Sequence, residues 1–118
     1  MNKTIGNQST LKTEKDIVFF ELEKVRFIMK DGSGLDIAYA YEDLVFSEHG
    51  LFIFQFDSKN INTISCWFNQ DCLEASRVTF LESLEKSAKL NGMKIIYKGK
   101  FEMTQKENEE ISLNFLEI

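Results

Sequence analysis

The chain has 118 residues, 43% of them apolar and 13% aromatic, with eleven phenylalanines, so it is long enough to bury one core and too apolar to stay disordered. A net charge of −5 lacks the cationic surface that phosphate binding requires, so neither nucleic acid nor an anionic membrane is an expected partner. No apolar run approaches the roughly 18 residues that span a bilayer, Met1–Lys12 holds no signal-like apolar stretch, and two cysteines fit a reducing, cytoplasmic setting.

Asn2 to Leu11 is polar, small and without period, so residues 1–12 are expected to form a mobile tail and residues 13–118 a single domain. From Thr13 to Lys30, the residues Ile17, Val18, Leu22, Val25, Ile28 and Met29 fall on one helical stripe, with Glu23, Arg26 and Lys30 opposite. A strand would need a break there, because Glu21 and Glu23 share one face while Lys24 and Arg26 share the other; the spacing favours a helix. Thr13 with Asp16 resembles a capping box, and Gly32 is placed to close the helix in a left-handed conformation.

Leu35, Ile37, Tyr39 and Tyr41 then alternate as a strand does. At Glu42-Asp43 the phase switches, which predicts a bulge or short break after which Leu44 and Phe46 continue the apolar face. Strands are expected at Leu44–Phe46, Leu51–Asp57 and Ile61–Phe68. A three-residue loop of Glu48, His49 and Gly50, with Gly50 left-handed, pairs Phe46 with Phe52 and Leu44 with Phe54. A matching loop of Ser58, Lys59 and Asn60, with Asn60 left-handed, pairs Phe54 with Ile64 and Phe52 with Cys66. Both registers gather Leu44, Phe46, Phe52, Phe54, Phe56, Ile64, Cys66 and Phe68 on one side.

A second helix runs from about Asp71 to Asn91, with Asn69 or Asp71 as its cap and Leu73, Phe80, Leu81, Leu84 and Ala88 as its buried stripe. Asn91-Gly92 ends it, and Met93 is placed to fold back on its last turn. Met93, Ile95, Tyr97, Phe101 and Met103 alternate with Lys94, Ile96, Lys98, Lys100 and Glu102, and after a loop at Gln105–Glu110 the residues Ile111, Leu113 and Phe115 resume the apolar face. Pairing Met103 with Ile111 sets Gly99 opposite Phe115. The expected fold is α+β: a mainly antiparallel five-stranded sheet with two helices on one face, in the order α-β-β-β-α-β-β. That order, with small size and acidity, is similar to bacterial secretion-chaperone-like folds, although the helix that closes such folds is missing. The resemblance implies a protein-binding partner, chaperone-like or antitoxin-like.

No residue set points to catalysis, a metal or a cofactor. Cys66 and Cys72 with one histidine are too few soft ligands for a structural zinc site; Cys66 reads as core and Cys72 as a first-turn residue, where the helix dipole would lower its thiol pKa. His49 reads as a solvated turn residue. Arg77 lies in the middle of an apolar stripe, where a cation is costly unless paired. It marks either an anion-binding pocket or a stem packed over the core edge with its head reaching Glu74 or Asp71. Lys94, Lys98 and Lys100 share one face of a possible edge strand, where lysines deter aggregation. The registers leave Val45, Leu51, Ile53, Ile61 and Trp67 on the sheet face away from the helices, and a tryptophan among four aliphatics is more apolar than solvent requires. The expectation is a non-catalytic protein-interaction module that self-associates, as a homodimer, through that open face; a small-molecule or anion-binding protein is the alternative.

Overall fold

The structure, a computed structural model, describes residues 2–5, 19–105, 107 and 110–118, with side chains from residue 22 onward. The expected cap at Thr13 and Asp16, and the stripe residues Ile17 and Val18, lie outside the described residues. In chain order the elements are β1 (Asn2–Ile5), α1 (Phe19–Ser33), β2 (Ile37–Tyr41), β3 (Leu44–Ser47), a 3-10 turn (Glu48–Gly50), β4 (Phe52–Phe56), β5 (Thr63–Asn69), α2 (Glu74–Leu90), β6 (Lys94–Gln105) and β7 (Ile111–Glu117). They form one sheet in the order β1-β7-β6-β5-β4-β3-β2, antiparallel throughout except where α2 carries the chain from β5 to its parallel neighbour β6. The class is α+β, as the sequence predicts. The sheet has seven strands where five were expected: Asn2–Ile5, read as tail, lines the edge of β7, and residues 37–47 divide into two strands.

α1 follows its stripe. Val25, Ile28 and Met29 are fully buried, Leu22 packs beside them, and Phe27 stands outside the stripe at 55% exposure. Gly34 (φ +80°) ends the helix, its N–H donating to the Lys30 carbonyl at 2.8 Å. Gly32, the expected terminator, instead lies inside the last turn against α2, where a Cβ would come within 2.8 Å of the Leu84 Cα. Close helix contact, not chain reversal, accounts for that glycine.

Just past α1, Arg26 grips Asp36 with two parallel bonds, Nε to Oδ1 at 2.9 Å and Nη2 to Oδ2 at 3.1 Å. The Arg26 bond first, and the Ile37 amide second, hold the Asp36 carboxyl at about 2, below its ordinary 3.8. A carboxyl depressed by folding adds stability above its unfolded value and loses it as pH falls through the folded one. The wild type should therefore exceed Asp36→Asn in denaturation midpoint at neutral pH, with the gap closing between about 4 and about 2. The pair is partly exposed, so solvent keeps that gap small.

The phase change expected at Glu42-Asp43 is a two-residue hairpin turn, with Glu42 at φ +54° and Tyr41 paired to Leu44. The irregularity lies upstream, between Ile37 and Tyr39. Tyr39, Tyr41, Leu44 and Phe46 share one face as the sequence predicts, with Tyr39 stacked on Phe46 at 4.4 Å, whereas Leu35 and Ile37 pack on the helix side.

The next loop overturns the expected register by one residue. Phe46 pairs with Ile53 and Val45 with Phe54. Gly50 is left-handed as expected, but His49 is left-handed too, at φ +65°, and Leu51 stays helical, which lengthens the connection. The Ser47 hydroxyl closes it by accepting the Phe52 N–H at 3.1 Å. A one-residue shift sends alternate side chains to the other face. Val45, Phe52, Phe54, Ile64, Cys66 and Phe68 therefore pack under the helices, while Leu44 and Phe46 lie on the far side with Ile53 and Trp67.

At the β4–β5 connection the shift is two residues, Phe54 to Cys66 and Phe56 to Ile64, so the faces are kept. Asn60 is not left-handed there, since the loop is longer than three residues. β6 and β7 are likewise displaced by two, with Met103 opposite Leu113 and Gly99 opposite Glu117 in place of Phe115. An irregularity beside Cys66 and Trp67 leaves Lys98 unmatched in β6, so Ile95 and Tyr97 face the helices while Phe101 joins the far layer. β6 lies inside the sheet, so its lysines do not guard an edge.

The far face is a second core. Leu44, Phe46, Ile53, Trp67, Phe101, Ile111, Leu113 and Phe115 form one buried cluster, with Tyr39 and Tyr41 packed against it. Trp67 and Phe115 stand two strands apart yet their rings approach to 4.7 Å, across the bare Gly99.

Candidate functional site at the start of α2

The five residues expected to form an open interface do not form one. Val45 belongs to the core under the helices and Leu51 packs on it; Ile53 and Trp67 belong to the second core; only Ile61, at 51%, is exposed. Trp67 retains 2% exposure in a single chain, so the atoms covering it are the chain's own. Its Nε1–H donates to Gln55 Oε1 at 3.2 Å, and Gln55 Nε2 donates to Asp43 Oδ2 at 2.9 Å, which gives the buried indole its polar partner.

The residues that depart from what folding asks lie where β5 passes into α2. The Gln70 N–H donates to the Phe101 carbonyl at 3.0 Å, tying the loop to β6. Asn69 Oδ1 accepts the Asp71 N–H at 2.9 Å and its carbonyl accepts the Cys72 N–H at 2.9 Å, so Asn69 builds a turn and does not cap the helix. α2 consequently begins at Glu74, later than the sequence predicts. Its cap position falls to Leu73, which is extended and offers no capping oxygen. Leu73, expected in the buried stripe, is 75% exposed; Phe80, Leu81, Leu84 and Ala88 do face the core. The apolar stripe overhangs the sheet by one turn.

Arg77 stands one turn further along. Nη2 donates to Glu74 Oε1 at 2.8 Å, and the guanidinium carbon lies 4.6 Å from the centre of the Tyr97 ring. These two partners offset the cost of a cation whose side chain is only 14% exposed. An incoming anion would have to compete with Glu74. The Arg77 hydrogen bond, followed by the charges of Arg77 and Lys100, holds the Glu74 carboxyl below its usual range.

Neither cysteine is poised as a thiolate. Burial pushes the Cys66 thiol far up, and burial also raises Cys72, outweighing the opposing pull of Arg77 and Lys100. The downward shift expected for Cys72 at a helix N-terminus is therefore reversed; Cys72 precedes the Leu73 cap and its Sγ leans 3.6 Å from the Leu73 carbonyl. His49 is exposed in the turn before β4, as the sequence predicts. Among the described residues no three His, Cys, Asp or Glu side chains group to hold a metal, and no helix is long and apolar enough to cross a membrane.

Leu73 is the feature that sequence reasoning missed. The signal was local: Asn69 can satisfy the backbone two residues on, which delays the helix and strands the next apolar residue at its mouth. No protein-family model, curated protein or solved structure matches the chain.

Proposed function

We propose that this chain is a non-catalytic protein-interaction module whose contact surface is the start of α2, with Leu73 as an apolar anchor and Arg77, stacked on Tyr97, beside it. Leu73 carries the reading. A leucine in a cap position forgoes a hydrogen bond that serine, aspartate or asparagine would make, and it holds an apolar side chain in water. Folding supplies no reason for either cost, whereas a partner that buries the side chain supplies one. Arginine and tyrosine are the residues that most often accompany such anchors.

Leu73→Ser separates the two demands. The variant should gain about 0.5–2 kcal/mol from the restored cap, read as a higher denaturation midpoint. It should also lose a stoichiometric protein that the tagged wild type retains in its own cells. Identical retained proteins, or a less stable variant, would contradict the reading.

A further inference from the structure

We infer that β1 is exchangeable, and that two copies of this chain associate by each laying its Asn2–Ile5 strand along the β7 edge of the other. β1 pairs only with Ile111–Asn114, Asn2 opposite Asn114 through Ile5 opposite Ile111. β7 continues to Glu117, and among the described residues no strand lies beyond Asn114 on that side. The edge is a strand acceptor that its own chain fills for little more than half its length.

Nothing about the connection ties β1 to its own sheet. Thirteen residues, 6–18, separate it from α1. At about 3.3–3.6 Å per residue such a length reaches roughly 43–47 Å, more than the 41 Å longest extent of the molecule. The occupant is selected by charge as well as by fit. Met1–Lys15 carries Lys3, Lys12 and Lys15 against Glu14, whereas residues 107–118 carry Glu107, Glu109, Glu110 and Glu117 and no cation. An acidic edge on an acidic chain repels most extended segments of similar proteins, but attracts the basic stretch that already registers with it.

Every ladder bond made within one chain can be made between two, so exchange is decided by concentration. It competes once the protein approaches the effective concentration of its own tether, on the order of millimolar, and it weakens with salt.

Thr4 and Ser112 face each other across the pair, and cysteines at both positions report which chain β1 lies on. A Thr4→Cys, Ser112→Cys chain that also carries Cys72→Ser, treated with an added oxidant, should form an internal link at micromolar protein and a linked dimer at millimolar protein. The unmodified chain, which needs no variant to fold, should shift from one-chain to two-chain mass over the same range and shift back in high salt. Internal links alone, or no link, at millimolar protein would overturn the inference. So would a one-chain mass for the unmodified protein at that concentration.

Discussion

Gly99→Ala should remove a large part of the protein's stability. Gly99 is at φ +147°, where side chains are rarely tolerated, and an added Cβ would come within 2.2 Å of the Leu116 carbonyl oxygen. That neighbour is backbone of β7, held by the ladder to β6, and cannot swing aside. Strain at such a φ costs about 1–3 kcal/mol, and overlap in a packed region costs about 1–3 kcal/mol more. Set against a total stability of roughly 5–15 kcal/mol, the variant should unfold at a much lower denaturant midpoint. An unchanged midpoint would show that β6 and β7 do not meet closely at Leu116.

Trp67→Glu should be at least as damaging. On an open face a glutamate would be harmless to folding and would abolish only association. Trp67 is 2% exposed, rests on Phe115 at 4.7 Å and supplies the hydrogen bond to Gln55. Truncating a buried tryptophan costs about 3–5 kcal/mol, and a buried unpaired carboxylate adds a further penalty or takes up a proton. The expected outcome is a chain largely unfolded or molten at neutral pH, partly rescued by Trp67→Phe. A well-folded Trp67→Glu chain would contradict the second core.

Much of the fold was legible where the signal was local. Asn91, Gly92 and Met93 close α2 as predicted: Met93 is buried and its N–H reaches back to the Ala88 carbonyl at 2.8 Å. The faces of β4 and β5 were also legible, because a two-residue error in pairing Phe52, Phe54 and Phe56 leaves every side chain on its predicted side. A one-residue error does not, and that is what His49 introduced. A histidine in the left-handed region has no sequence mark to match that of glycine, so Phe46 was assigned to the wrong layer.

The misreading of Leu44 and Phe46 made the far face look open. With those two side chains counted beneath the helices, Trp67 seemed to stand among scattered aliphatics; with them beside it, the same strand closes a core. β1 left no trace because Asn-Lys-Thr-Ile has no apolar alternation to register. At the candidate site, Arg77 was recognised with its partner Glu74, since the spacing of three residues on a helix is enough. Leu73 was not, because the start of α2 is decided by a side chain–backbone competition at Asn69.

The chain holds a single tryptophan, so its fluorescence reports on the second core alone. If Trp67 is covered by its own chain, emission should be blue-shifted and poorly quenched by acrylamide in dilute solution, and should stay so as the protein is concentrated. Red, readily quenched emission in dilute protein that turns blue only on concentration would place the cover on a second molecule and contradict the account.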